Sequence, residues 1–434
     1  AFILRCRHEG RWDEAWAHME HALRSSCEEG DPALRAEALL ARGDLLHLQG
    51  RQVEAKETLE RCVAIGQELG AQRIEMCGKH HLANTLRSLG RGEQAKSLFE
   101  EVRDWARAIG DPVAETTACM NMAIALVELG HLEDAERLVN NLLERAQEMG
   151  HRRLELSARP RLGGVCLHLD RIPEARKHFT KQLRVAAEVG DARAERGALM
   201  NLGVLAERLG QFGKARELYE QSLRLAGEIS APALEMRVAY NLGYVFLALG
   251  QHEDALRHHR RSHALAREMG DRNDEQRALG GLGLAFAVSG RYQESKRLLD
   301  QALEHAREIG SQVSEAVVSV NQGALWLALG ERERARDALE ATLSIGRDVG
   351  AQRPSGYALE HLGRLAEEQG ESVEALRLAE ESLVLRREIG DGAAVPDSLL
   401  LLGSLLHHHG PAMEAHSTLE EAMGLFSEQG RCGK

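Results

Sequence analysis

A glycine recurs every twenty residues along this 434-residue chain. The glycines form two alternating series with a period of forty residues, one starting at Gly10 and the other at Gly30. Only Asp170 in the first series and Ser230 in the second replace the glycine. A spacing kept without insertion over a whole chain is typical of a repeat array, in which each unit packs on its neighbours.

Each twenty-residue half has the pattern of one helix. In the half that begins at residue 191, Leu202, Leu205 and Leu209 stand at helical spacings. The terminal glycine provides the left-handed C-cap that lets the chain turn back, and aspartates such as Asp111 follow several of these glycines as N-caps. The chain is therefore predicted to be all-α, an α-solenoid of antiparallel helix pairs.

Small residues on both helices of a pair predict close packing. A glycine recurs inside the first helix, as at Gly203 and Gly243, and an alanine follows twelve residues later, as at Ala215 and Ala255. Small residues on both helices let the axes approach closely, whereas a larger side chain would push the helices apart.

These features make the chain resemble the tetratricopeptide repeat (TPR) family. In one repeat the motif residues are Leu202, Gly203, Leu209, Gly210, Ala215 and Tyr219. The forty-residue period exceeds the usual length of about 34 residues, and it is similar to the repeats of the spindle adaptor LGN/Pins and of bacterial MalT-like and related STAND sensor arms. The resemblance implies a right-handed TPR superhelix. HEAT repeats have a similar length but lack this Gly/Ala pair.

Composition shows no internal boundary, because no linker-like segment divides the chain. We expect a single domain over residues 1–434, with a partial repeat at 1–30, ten repeats at 31–430 and a tail at 431–434. Since the first repeat is incomplete, the chain is expected to be a fragment of a larger protein.

The net charge and the cysteine content restrict which partners and which cellular compartment we expect. The net charge is −12 with acids and bases interleaved, which argues against a nucleic-acid-binding surface. No apolar run reaches the roughly 20 residues that span a bilayer, so no membrane partner is expected. The seven cysteines are scattered without regular pairing, which favours the cytoplasm.

An asparagine recurs one residue before the motif leucine of the first helix. It occurs at Asn121, Asn201, Asn241 and Asn321, where it should face the concave side of the solenoid. The TPR resemblance implies that this amide hydrogen-bonds the backbone of an extended peptide, and an amide offers both a donor and an acceptor. Alternatively, the asparagine solvates the groove or ties neighbouring helices together.

Apolar residues surround these asparagines in the middle repeats and predict a binding groove. The predicted contact residues are Asn201, Arg237, Tyr240, Asn241, Tyr244, Leu247, Arg277, Leu284, Asn321 and Leu327. Arg237 and Arg277 either favour an acidic ligand or are simply solvated. The apolar stripe could equally belong to the core, or be covered by another part of the parent protein.

No pattern predicts catalysis, a metal or a cofactor. His259 and His263 stand four residues apart on one helix, as a metal pair would. His259, however, occupies the position of Phe99 and Phe179 in other repeats, which favours a packed side chain. The chain contains no P-loop, nucleophile elbow or HExxH motif.

Two functions remain open at the level of the sequence. The first is a non-catalytic protein-protein interaction scaffold that binds a peptide or a partner domain in its concave groove. The second is an effector-sensing regulatory arm of a STAND or kinase-type signalling protein or of a transcriptional regulator, acting with other domains of the same chain. One local irregularity is also expected, because Pro160 lies inside a first helix and should bend or interrupt it.

Overall fold

The computed structural model of the chain describes residues 12–226 and 232–431. Over these ranges it contains 21 α-helices and no strand, which confirms the all-α prediction. Helices α1 to α9 span Trp12–Glu29, Pro32–Leu48, Gln52–Glu68, Gln72–Ser88, Gly92–Ala108, Pro112–Glu128, Leu132–Glu148, Arg152–His168 and Ile172–Val189. Helices α10 to α21 span Ala192–Arg208, Phe212–Ala226, Pro232–Ala248, His252–Met269, Arg272–Val288, Tyr292–Ile309, Gln312–Ala328, Arg332–Val349, Gln352–Glu368, Ser372–Glu388, Val395–His409 and Ala412–Glu428.

The helices pack as pairs. Short connections of a few residues make consecutive helices run antiparallel, and first helices of neighbouring repeats also contact each other, as α2 does with α4 and α16 with α18. The observed architecture is therefore the predicted α-solenoid of helix pairs.

The contacts between residues divide the chain into two compact units. The first unit contains residues 1–194 and 266–273, and the second contains residues 195–265 and 274–434. The organisation as one domain with ten repeats stays a prediction. None of the helices in the described ranges is long and apolar enough to cross a membrane.

The glycine series caps the helices as predicted. Apart from Gly410, the glycines of both series that lie in the described ranges adopt a positive φ, such as 73° at Gly210. Asp170 takes the same conformation with φ 53°, which aspartate tolerates better than most residues. Gly410 differs, with φ −131° and ψ −166°, because Pro411 follows it and a residue before proline is pushed to extended backbone. Ser230 lies outside the described residues.

In most repeats a glycine inside the first helix makes room for a bulky residue on the second helix. A Cβ atom on Gly203 would lie 2.5 Å from the Tyr219 ring, and one on Gly323 would lie 2.5 Å from Leu339. Ala215 is fully buried. Close packing is thus confirmed, although the side chain that meets the glycine is the one four residues after the alanine.

The expected interruption at Pro160 is wrong. Helix α8 runs without a break from Arg152 to His168, although proline removes the N–H that would bond the Leu156 carbonyl. Leu156 and Leu162 on either side are buried, and Gly163 packs against Phe179 of α9. Burial of an amphipathic face, rather than propensity, provides most helix stability in proteins, so it holds this helix together across the proline.

Candidate functional site

The first helices of the second unit line one cavity of about 910 Å³. Nine of the ten residues predicted to contact a ligand lie in its wall: Asn201, Arg237, Tyr240, Asn241, Tyr244, Leu247, Arg277, Leu284 and Asn321. The tenth, Leu327, packs instead against the apolar core cluster that includes Leu359 and Leu362.

Helical periodicity explains why these residues share a wall. Arg237, Tyr240, Asn241 and Tyr244 of α12 occupy positions i, i+3, i+4 and i+7, which form one face of a helix. Because every repeat has forty residues and its first helix has the same orientation in the stack, equivalent positions of α10, α14, α16, α18 and α20 face the same space.

An aromatic cluster forms part of the wall. The rings of Tyr240 and Tyr244 contact edge to face at 5.0 Å, and the Tyr240 hydroxyl donates a hydrogen bond of 3.3 Å to that of Tyr244. His259 of α13 packs behind both rings, with centroid distances of 5.8 and 5.0 Å. Its side chain has no exposed surface and neither ring nitrogen has a partner, so burial lowers its pKa to about 3. This histidine is therefore packed, as its position in the repeat suggested.

Five arginines line the cavity, and four of them are paired with a carboxylate. The pairs are Arg277 with Asp274 at 3.1 Å, Arg353 with Asp391 at 3.1 Å, Arg364 with Glu360 at 2.7 Å and Arg431 with Asp397 at 2.9 Å. The fifth, Arg237, makes no hydrogen bond or ion pair with any described residue. Burial within the cavity wall lowers the pKa of Arg237, with a smaller contribution from the charge of Arg277, while Asp274 acts in the opposite direction.

The amide groups also include an unpaired donor. Asn321 is only 9% exposed, and its buried Nδ2 group has no hydrogen-bond partner among the described residues. Asn201 likewise has no partner there and is partly exposed. A buried donor without a partner costs about 1 to 3 kcal/mol, and a ligand carbonyl in the cavity would remove that cost.

The cavity extends beyond the repeats that sequence reasoning selected. Its wall also contains Tyr357 and His361 of α18, Arg353 near the start of that helix, and Glu207 of α10. Tyr357 lies two repeat periods after Arg277 and therefore occupies the equivalent position of a later repeat. Extending the repeat alignment along the chain identifies it. Burial raises the pKa of Glu207, which accepts a hydrogen bond of 3.0 Å from the Tyr219 hydroxyl.

The first and last helix pairs of the second unit meet in what we call the ring contact. Arg208, at the end of α10, donates from Nε to the Gly390 carbonyl at 3.2 Å, and its own carbonyl accepts a hydrogen bond of 3.1 Å from the Ala393 amide. Gln429 of the last pair packs against Gly210, which follows α10, and its side chain also donates to the Gly392 carbonyl of its own repeat at 2.9 Å. These bonds close the second unit on itself around the cavity.

A local irregularity of the chain makes the ring contact possible. Whereas first helices such as α2, α10 and α18 begin two residues after their capping glycine, α20 begins only at Val395, and residues 392–394 form a turn. Asp391 pairs with Arg353 instead of capping the helix. A Cβ atom on Gly392 would lie 3.4 Å from the Arg208 carbonyl oxygen, so the turn packs in van der Waals contact with the end of α10.

A buried ion pair joins the cavity wall to the same turn. Arg386 has no exposed surface and lies 2.7 Å from Glu360, whose carboxylate also contacts Arg364. Arg386 further donates to the Ala394 carbonyl at 2.7 Å and to the Ser398 hydroxyl at 2.8 Å. Together the two arginines lower the pKa of Glu360 against the opposing effect of its burial.

Among the described residues, one group has the spacing of metal ligands: Glu136, Cys166 and Glu174. Arg171 forms ion pairs with both carboxylates, and burial raises the pKa of the Cys166 thiol to about 11. The positive charge and the protonated thiol both oppose metal binding, so we assign no metal to this group.

The fold and the cavity define a class, the helical-repeat scaffolds built from paired helices. The model of the MalT-like TPR region matches residues 153–432, and the model named tetratricopeptide repeat matches residues 36–61 and 116–140. The chain therefore belongs to the TPR family, as a MalT-like TPR region. No curated protein matches the sequence significantly.

Solved structures with the same fold differ widely in sequence. A Rap protein complexed with competence and sporulation factor has 11% identity and a TM-score of 0.57, over 83% of this chain and 99% of that one. The apo form of the quorum sensor NprR from B. thuringiensis has 15% identity and a TM-score of 0.53, over 79% and 98%. A monomeric mutant of IFIT1 with m7Gppp-AAAA has 15% identity and a TM-score of 0.50, over 90% of each chain. At such identities the likeness shows the fold alone.

Proposed function

We propose that this chain is a non-catalytic binding scaffold that holds a short extended peptide in the cavity of its second unit. The observation that carries the proposal is the wall itself, where apolar and aromatic side chains surround amides that stand at the same position of three repeats. Apolar burial would provide affinity at about 25 cal/mol per Å². The amides would fix the register of the peptide backbone, because each offers a donor and an acceptor.

The size of the cavity favours a peptide over a folded partner. About 910 Å³ lies within the range of roughly 300 to 1,000 Å³ that is usual for small-ligand pockets, and Ala393 of the ring contact forms part of the wall. A folded domain is far larger than this volume, so the proposal narrows the expected partner to a segment in an extended conformation.

A second candidate is the regulatory arm that senses a small effector. The same volume suits an effector, and two proteins that share the fold are a quorum sensor and a Rap protein complexed with competence and sporulation factor. The expectation that nucleic acid is not a ligand stays a prediction, because the fold is also shared by IFIT1 with m7Gppp-AAAA. We propose the cytoplasm as its location.

A cavity-filling variant tests the proposal. Ala324 lines the cavity on α16, so Ala324→Trp should fill part of the space. Gln301→Trp adds the same indole to an exposed position of α15 and serves as the control. The probe is a randomised hexapeptide library, from which the full chain should enrich a defined set of sequences.

We expect Ala324→Trp to lose binding of the enriched peptides by at least about ten-fold, equal to about 1.4 kcal/mol, while Gln301→Trp binds them as the unchanged chain does. Circular dichroism and thermal unfolding establish that both variants are folded. The proposal fails if the unchanged chain enriches no peptide, or if the two tryptophan variants bind the enriched peptides equally well.

A further inference from the structure

Both sides of the ring contact contribute to the cavity wall. Glu207, the residue before Arg208, lines the cavity from α10, and Ala393 lines it from the last repeat. Ala393 is also packed in the apolar cluster that contains Ala206 of α10 and Phe212 of α11. The cavity therefore has its full wall only while the first and last helix pairs of the second unit touch.

Two arginines of the cavity wall hold the turn that makes the ring contact. Arg353 lies 3.1 Å from Asp391, and Arg431 donates a hydrogen bond of 3.2 Å to the Ala393 carbonyl. Both arginines line the cavity, whereas Arg208 does not belong to its described wall. A ligand in the cavity therefore lies against the side chains that position the turn, and it does so without touching Arg208.

The ring contact depends on few hydrogen bonds, and one residue makes three of them. The Arg208 guanidinium donates to the carbonyls of Ile389 and Gly390, and the Arg208 carbonyl accepts from the Ala393 amide. A net hydrogen bond shifts an equilibrium by roughly two- to ten-fold, so three of them favour the closed arrangement by roughly ten- to thousand-fold. Ligand binding, or the loss of one side chain, is enough to change a preference of this size.

Resting on the proposed function, we propose that the ring contact is a clasp that couples closure of the second unit to occupancy of the cavity. A peptide that touches α10 and the last repeat together binds the closed arrangement more tightly than an open one. By thermodynamic reciprocity, closure strengthens the binding of the peptide by the same factor by which the peptide favours closure. Arg208 is then a positioning residue, which controls the affinity through the turn.

A reversible disulfide across the ring contact tests the clasp. A Cβ atom on Gly392 would lie 3.7 Å from the Leu209 Cα atom, which is close enough for two cysteines at these positions to form a disulfide. Neither residue belongs to the described wall of the cavity. The variant Arg208→Ala removes the guanidinium that holds the contact, and adding Leu209→Cys and Gly392→Cys gives a triple variant. Oxidised glutathione closes its disulfide, dithiothreitol opens it, and mass spectrometry of the digested chain identifies the bond.

The controls separate the clasp from general effects of substitution. His408→Ala changes the equivalent position of α20, whose side chain is exposed. Leu209→Cys and Gly392→Cys, each alone together with Arg208→Ala, show what a cysteine does without the bond. Circular dichroism shows whether each variant is folded.

The probes are the hexapeptides that the unchanged chain enriches from the randomised library. Arg208→Ala should bind them at least about ten-fold more weakly, whereas His408→Ala should bind them as the unchanged chain does. The oxidised triple variant should regain the affinity of the unchanged chain, and the reduced one should bind as weakly as Arg208→Ala. The variants with a single added cysteine should not regain affinity on oxidation.

The reciprocal effect is measurable on the unchanged chain. A saturating concentration of the same peptides should slow hydrogen exchange of the Ala393 amide by at least about ten-fold, because that amide bonds the Arg208 carbonyl only in the closed arrangement. An unchanged exchange rate would show that occupancy and closure are independent, and would overturn the clasp.

Failure of the clasp differs from failure of the proposed function. If the peptides bind in a manner sensitive to Ala324→Trp but Arg208→Ala binds them as well as the unchanged chain or better, the clasp is wrong and the peptide scaffold stands. The same conclusion follows if the disulfide forms without restoring the affinity. If oxidation forms no bond between the two positions, they do not meet in the protein and the clasp has no basis. If the unchanged chain enriches no peptide, both proposals fail.

Discussion

Replacing His259 by phenylalanine should stabilise the protein and reduce its sensitivity to acid. The imidazole is fully buried, both of its nitrogens lack hydrogen-bond partners, and it packs edge to face against Tyr240 and Tyr244. Other repeats place Phe99 and Phe179 at the equivalent position. A phenyl ring therefore keeps the aromatic contacts and removes the unpaired polar atoms.

The expected increase in the free energy of unfolding at neutral pH follows from removing those unpaired nitrogen atoms. Leaving a buried polar group unsatisfied costs about 1 to 3 kcal/mol. The phenyl ring is slightly larger than the imidazole, and it must fit between Gly243 and Gly281, where added Cβ atoms would lie 2.5 and 2.6 Å from the present ring. Allowing for some overpacking, we expect a net increase of about 1 kcal/mol in the free energy of unfolding.

The effect of acid has a definite sign. Burial lowers the pKa of His259 to about 3 from its ordinary value of 6.5, so between these values the unfolded chain binds a proton that the folded chain does not. The stability contributed by the neutral imidazole is present above pH 6.5 and is lost progressively as the pH falls toward 3. Between about pH 7 and about pH 5 the loss amounts to about 2 kcal/mol.

Urea denaturation followed by circular dichroism, at about pH 7 and about pH 5, measures both effects. His259→Phe should lose about 2 kcal/mol less than the unchanged chain between the two pH values. The control is His416→Phe, because the His416 side chain is 76% exposed, so its imidazole is hydrated in the folded and unfolded chain alike. The reasoning is refuted if His259→Phe keeps the acid sensitivity of the unchanged chain, or if it is less stable than that chain at both pH values.

Two further predictions concern the helix pairs. Gly203→Leu should destabilise the second unit by roughly 1 to 3 kcal/mol, because even a Cβ atom there would lie 2.5 Å from Tyr219. Gly213→Leu, at a position where a Cβ atom meets nothing within 4 Å, should change little, and equal urea midpoints for the two variants would contradict the packing argument. Pro160→Ala should raise the thermal midpoint, because it restores the N–H that bonds the Leu156 carbonyl in an uninterrupted helix and removes up to about 3 kcal/mol of strain; an unchanged or lower midpoint would show that the proline is not strained.

The helices and their caps were predictable because they depend on neighbours in the sequence. Gly210 needs only a left-handed cap, and the apolar face of α10 needs only a helical period. The continuous helix at Pro160 and the extended backbone at Gly410 were not predicted, for different reasons. Burial of α8 against α9 outweighs the proline, while Pro411 changes the conformation of the residue before it.

The cavity wall was predictable within each repeat, since Arg237, Tyr240 and Asn241 share a helix face that the period defines. Its far side was missed because Tyr357 and Arg353 stand among polar residues, and polarity alone does not separate a cavity wall from a solvated surface. The carboxylate that pairs with each arginine could not be predicted from the sequence either. Arg353 finds Asp391 in the next repeat, across a distance that only the stacking of the helices sets.

The ring contact changes how the second unit comes apart. In an open array the terminal repeat touches a single neighbour, so it frays first and unfolding proceeds inward. Here fraying of α20 and α21 also breaks the hydrogen bonds that join Arg208 to Gly390 and to Ala393, so the two end repeats protect each other and their amides should exchange hydrogen slowly. The same bonds join residues far apart in the sequence, and contacts of that kind form late in folding because a long loop has to close first. A durable cavity and a slow last folding step then arise from the same few hydrogen bonds.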